Sequence, residues 1–502
     1  MTTRRDFLKT SVRTAALAGV GGLGTFTPRM AGAGASQSTD LIAIDPDIEP
    51  LVRLITTSGD RLIPVMIDQV KQGLSYRRFL AANFITAIRY RVGTHDIFVT
   101  HSVNEVAQEL GRNERFWPLF YHVEKVQPPN LAPRMRPMSD ENLPPARSAT
   151  SLFSTAMQNG DHEAATRAML ALTRAEGPRR AFDKLWFYAA QRNHISGGHT
   201  AIAVTNAFRT LETIGWQHAE PALHFLVGEC STRPGGSDLH HVNAERAKTV
   251  AEFPPDWARQ RSNRTVVLEL LELYRQGAPA RACQATYERL RQGSIQAGTV
   301  WDAVFLTTAE SMIRFRWCAP TRLCGHSVTC SNALHYAFRT ITDPETRLYS
   351  LLEAVEWTTS LLQREDARGG LREARITEIP LVDSPPSDRE AVEQIFALLP
   401  PRRFSDTSRI FRADQDRAMQ LTYSLARRSS DHHLFLQTAR RLLCLKSTRE
   451  VHDFKFPVAL FEHYQHVSPE WKPNILAASA HYLHGTKMDD CEAVREAREA
   501  IS

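Results

Sequence analysis

The chain has 502 residues, 42% of them hydrophobic and 23% charged, with a formal net charge of +6. Five basic residues near the start (Arg4, Arg5, Lys9, Arg13 and Arg29) against Asp6 supply +4 of that, so the remainder carries +2 and gives no indication of nucleic-acid binding. Past the leader no run approaches the ~18 apolar residues of a membrane span, which excludes a membrane-spanning mature chain.

Thr3-Arg4-Arg5-Asp6-Phe7-Leu8-Lys9 reads as a twin-arginine (Tat) export signal, with Arg4, Arg5, Phe7 and Leu8 as its recognition residues. A weakly apolar Gly/Ala run from Ala15 to Phe26 follows, then small residues at Ala31, Ala33 and Ala35 suited to a signal peptidase. Cleavage after residue 35 predicts a periplasmic or extracellular protein that met the Tat translocase already folded. That route often serves proteins whose cofactor is inserted in the cytoplasm.

The expected mature unit, residues 36–502, reads as a single large all-α domain, an array of stacked helical hairpins around a His-lined central cavity. Apolar residues recur at three- and four-residue spacing over Thr150–Ala175, Thr265–Tyr274, Asp343–Leu362 and Glu390–Leu399, and period-two alternation is scarce. Pro-rich polar stretches near 127–147 and 379–388 read as surface connections. The seven cysteines form no CxxC or CxxCH, which argues against zinc ribbons, iron–sulfur clusters and attached haem. Cys318, Cys324 and Cys330, spaced by six, would permit one disulfide in an oxidising compartment, with buried free thiols the commoner outcome. GxSxG, Walker A and HExxH motifs are all absent.

Two segments resemble each other. Gly198-His199-Thr200 leads to Phe208-Arg209-Thr210, and Gly325-His326-Ser327 leads to Phe338-Arg339-Thr340 after three more residues, close to one helical turn. Each places a histidine at the expected start of an apolar-faced helix. His101, after Thr100, is expected to do the same, and His452-Asp453-Phe454-Lys455 opens another helix limited by Pro457. Imidazoles converging from several helices of a bundle are a recurrent way to bind a transition metal. Lys455, one turn after His452, shares its face. It could join a metal's shell if deprotonated or carboxylated by CO2, or act as a substrate-contacting cation. Glu310 and Asp302 are candidate partners for the second ring nitrogens of such histidines. Arg209 and Arg339 are expected to pair with buried acids, and the tryptophans to pack in the core.

From Trp301 onward the chain resembles the questin oxidase-like proteins, whose members include enzymes that oxidatively open anthraquinone-type rings. The likeness lies in Gly325-His326-Ser327, the Pro344–Trp357 helix ending in Glu356-Trp357, and His452-Asp453-Phe454-Lys455-Phe456. Glu462, His463 and Tyr464 and a Pro-Glu-Trp turn follow; matches around His199 and His101 are looser, and the whole likeness spans about Gly93 to Gly485 with large gaps. It implies a helical fold and a mononuclear non-haem iron held by His101, His199, His326 and His452, with Lys455, free or carboxylated, completing the shell. His95 is an alternative to His101, and His194, His335 and His463 lie near enough to compete. Zinc or manganese could take the place of iron. The expected function is oxidation of an aromatic or quinoid small molecule with O2. The alternative is a non-catalytic helical-repeat protein that binds a partner or ligand outside the inner membrane, its histidines serving only to pack.

Overall fold

The computed structural model describes residues 46–90, 94–128, 143–231, 238–316, 323–400, 413–447 and 451–501. The export signal, most of the 127–147 connection and Cys318 lie outside the described residues. Those described belong to one compact unit, Leu41–Ser502. They are all-helical, and the one β feature among them is an isolated bridge between Phe315 and Leu371.

Helices α1 to α5 are Glu49–Thr57, Leu62–Lys71, Tyr76–Tyr90, Thr94–Ala107 and Trp117–Val126. Next come α6 Ala146–Asn159, α7 His162–Glu176, α8 Pro178–Gln191, the single turn α9 Asn193–Ser196, α10 His199–Ile214, α11 Ala219–Cys230 and α12 Leu239–Ala247. The second half begins with α13 Arg264–Arg275, α14 Pro279–Arg291, α15 Ala297–Arg314, α16 Leu323–Thr340 and α17 Pro344–Asp366. It ends with α18 Asp388–Leu398, α19 Ala413–Arg428, α20 His433–Lys446, α21 His452–His466, α22 Lys472–Ser479 and α23 Glu492–Ile501. Among the described residues no helix is long and apolar enough to cross a membrane.

Local chemistry sets these boundaries. The apolar period through 150–175 is cut in two because Gly160 turns left-handed (φ 69°) and the Asp161 side chain accepts from the Ala164 amide, ending α6 and capping α7. Asn263 caps α13, and Asp343 caps α17 with Pro344 at its first position. Ser387 caps α18: its hydroxyl accepts from the Glu390 amide and donates to the Glu390 carboxylate. The 379–388 connection is irregular as expected, with Leu381 outside and the Val382 amide donating to the Ser424 hydroxyl. Pro457 lies inside α21 without ending it. Trp301, Trp357 and Trp471 are buried in the core. Of the described cysteines, Cys230, Cys283, Cys330, Cys444 and Cys491 are free thiols.

Four of these helices close a ring: α4 packs on α10, α10 on α16, α16 on α21, and α21 back on α4. Outside it, α17 lies along α16. This ring positions the candidate site.

Candidate metal centre

Each helix of the ring brings an imidazole from its first turn. His95 is the second residue of α4, His199 the first of α10, His326 the fourth of α16 and His452 the first of α21. Ring centroids are 4.6 Å apart for His95–His199, 4.7 Å for His199–His326, 5.0 Å for His95–His452 and 5.6 Å for His326–His452. One ring nitrogen from each of His95, His199 and His326 falls within 4.8 Å of the others. The Nε2 atoms of His199 and His326 are 3.2 Å apart, and Lys455 Nζ is 3.2 Å from the same His326 atom. A metal with nitrogens at about 2.0–2.1 Å holds neighbouring ligands roughly 3.0–3.4 Å apart, the separation of the His199–His326 pair, and with His95 these imidazoles could hold one ion.

Glycine allows the close approach. Gly198, which precedes His199, has φ +84°, and a Cβ there would stand 2.9 Å from the Cys330 Cβ and 3.2 Å from the Trp357 ring. At Gly325, which precedes His326, a Cβ would fall 2.0 Å from the ring of Phe456, so only a bare backbone admits that ring. Trp357 then donates its indole N–H to the His326 carbonyl at 3.0 Å. The Gly-His pairing noted in the sequence therefore has a packing cause on each side of the site.

Burial, and then the charge of Lys455, hold the His199 imidazole down to about 3. The same two causes, with the neighbouring histidines, hold His326 well below its ordinary value. Both are neutral at pH 7 and keep a lone pair for a cation. Lys455 is buried, 5.5 Å from the Phe456 ring centroid and 6.0 Å from that of Phe98. Because all four histidines sit in first turns, four positive helix ends face the cluster, a field that favours anionic ligands.

His101 is elsewhere. It lies in the middle of α4, six residues or about 9 Å along the axis from His95, and joins a second polar layer built from the same four helices. Its Nε2 is 2.9 Å from Glu462 Oε1; the Arg209 Nη1 donates to Glu462 Oε2 at 3.0 Å and to Asn332 Oδ1 at 3.1 Å. Burial alone would raise the Glu462 carboxyl, but Arg209 and His101 outweigh it and hold it well below the usual carboxylate range. His101, Glu105 and Glu462 could also gather round a cation, although Arg209 already balances that acid. Arg339 lies instead against His466.

The expected orienting acids are engaged away from the histidines. Glu310 accepts from Arg275 and from the Ile376 amide, and Asp302 from the Ser468 amide. His335 packs edge-on against Trp301 and Phe305, while His463 stacks on Phe305 at 4.2 Å. His194 is 3.1 Å from Glu356 and makes a second His/acid group with Glu353. A surface cleft lined by Tyr76, Arg77, Arg112 and Arg115 includes none of the clustered histidines.

The sequence held a weaker signal for His95: a glycine, Gly93, stands two residues before it, where Gly198 and Gly325 immediately precede His199 and His326. In the lower layer Arg209 pairs with a buried acid as expected, but that the acid is Glu462, with Asn332 beside it, depends on the register between helices. Comparison of the chain with protein-family models, with curated proteins and with solved structures finds no match, so the chemistry of the site must be read from its own residues.

Proposed function

We propose that the chain is an exported, mononuclear non-haem iron oxidoreductase acting on an aromatic or quinoid small molecule with O2. The observation that carries this reading is the meeting of three imidazoles from three helices, His95, His199 and His326, within reach of one ion, with the His452 ring and a buried lysine beside them. Iron and that substrate class are what a resemblance to questin oxidase-like proteins would imply; zinc and manganese suit the same imidazoles.

His95, His199, His326 and His452 would hold the ion. Iron bound there would supply electron transfer and O2 activation at the coordination positions left open. As an ammonium, Lys455 would repel a cation; as a carbamate it would offer an anionic oxygen, which four helix N-termini stabilise. Phe98 and Phe456 flank Lys455 and exclude water from it. The Trp357–His326 hydrogen bond fixes the backbone under one ligand, and the Arg209–Glu462 layer braces the ring below.

Elemental analysis of anaerobically purified protein tests the proposal. Stoichiometric iron is expected in the native chain and loss of it in His326→Ala with the helical circular dichroism preserved. Absence of any stoichiometric transition metal from the native protein overturns it. Export is tested separately: with Arg4→Lys and Arg5→Lys together the protein should stay in the cytoplasm, and unchanged export would refute the Tat reading.

A further inference from the structure

Behind the histidine ring, α17 carries Glu353 and Glu356 three residues apart on one helical face, both fully buried. The Asn243 amide, from α12, donates to Glu353 Oε1 at 3.1 Å and to Glu356 Oε2 at 3.0 Å. Its orientation is fixed because Arg246 donates to the Asn243 carbonyl oxygen at 3.0 Å. One oxygen of each carboxylate is thus taken. Glu356 Oε1 is 3.1 Å from His194 Nε2. Glu353 Oε2 is buried with no donor from a neighbouring N–H or hydroxyl, the Glu356 carboxyl lies against the same carboxyl, and among the described residues Glu353 has no lysine or arginine pair.

Two adjacent carboxylates in a dry interior repel each other and lose their hydration, so either a positive charge offsets them or one of them takes up a proton. The atoms offered by His194, Glu353 and Glu356 lie within 4.8 Å of one another. The His194–Glu356 separation already matches the roughly 3 Å between neighbouring ligands of a zinc-sized ion. The hydroxyl of Tyr349, one turn before Glu353, is likewise buried with no hydrogen-bond partner. We infer that His194, Glu353 and Glu356 form a second site, for a divalent first-row metal ion, with Asn243 holding both carboxylates in place. The imidazole and carboxylate donors suit zinc, manganese or ferrous iron. The ion neutralises the buried acids and ties α9 to α17, and the site does not depend on the function of the histidine ring.

Zinc binding to the metal-stripped full chain tests this, with Zn2+ as the probe. Equilibrium dialysis should give the native protein one more zinc per chain than Glu353→Gln, a near-isosteric change, while His326→Ala should keep that equivalent. Anomalous diffraction at the zinc edge from native crystals needs no variant and should show a peak between His194 Nε2 and Glu353 Oε2. Equal zinc content in native and Glu353→Gln protein, with no peak at this triad, overturns the inference and leaves a proton shared between the two carboxyls.

Discussion

Arg209→Met removes the guanidinium that touches Glu462 Oε2 at 3.0 Å, Asn332 Oδ1 at 3.1 Å and His101 Nε2 at 3.2 Å. Both charged side chains are under one-tenth exposed, at 8% and 9%, so solvent screens the pair little. Coulomb's law at that separation with an effective dielectric of about 20 gives roughly 5 kcal/mol. Removing one partner of a buried pair typically costs about 3–5 kcal/mol, because the survivor is stranded in a dry site. His101 remains 2.9 Å from Glu462 and offsets part of the loss, which places the expected cost near the lower figure, about 3 kcal/mol. The Glu462 carboxyl is depressed in the native protein. Its contribution is therefore complete above the unfolded carboxylate value of about 4.3 and is lost only as pH falls through the lower folded value. In the variant that carboxyl rises, so the deficit should shrink as pH falls and the stranded acid takes up a proton. Urea unfolding at pH 8 down to pH 5, in excess chelator so that metal occupancy does not contribute, measures this for native, Arg209→Met, Glu462→Gln and the double variant. The double variant should lose at least 2 kcal/mol less than the sum of the singles, roughly the coupling of a close pair. A loss under about 1 kcal/mol for Arg209→Met, additive with Glu462→Gln, would refute this reading of the layer.

Gly325→Ala forces a methyl to within 2.0 Å of the Phe456 ring. It should lower stability by about 1–3 kcal/mol and reduce bound metal, as read by thermal melting and elemental analysis; unchanged values would mean that α16 and α21 can separate at no cost. Burial, against the opposing hydrogen bond to the Asp96 carbonyl, brings the His122 imidazole down to about 4. A folded value below the unfolded 6.5 means that the unfolded chain binds the proton first, so stability is complete above pH 6.5 and falls as pH drops toward 4. The shift is worth about 3 kcal/mol. His122→Gln should flatten that part of the stability–pH curve in urea titrations, and a curve parallel to the native one would contradict the assignment.

The helical class was legible because amphipathic periodicity is a local property, and caps such as Asn263, Asp343 and Ser387 mark their helix starts within a few residues. Gly198-His199, Gly325-His326 and His452 were legible for a similar reason, since each first turn announces itself. His101 was a less secure reading: Thr100 before it resembles a helix start, but α4 begins at Thr94 and carries His95, not His101, into the cluster. Glu310 and Asp302 looked suited to orient imidazoles, and their real partners, Arg275 and the Ser468 amide, are 35 and 166 residues away in sequence. Glu356 entered the sequence reading only through the Glu356-Trp357 likeness, and Glu353 did not enter it. Only the packing of α12 against α17, which brings Asn243 between them, distinguishes them from a solvated face.

X-ray absorption at the edge of whichever metal the purified protein holds tests the histidine ring most directly. Expected are a nitrogen or oxygen shell at about 2.0–2.2 Å with imidazole outer-shell scattering that weakens in His95→Ala and stays unchanged in His101→Ala. A shell without imidazole scattering, or one altered by loss of His101 and indifferent to loss of His95, would contradict the site described above.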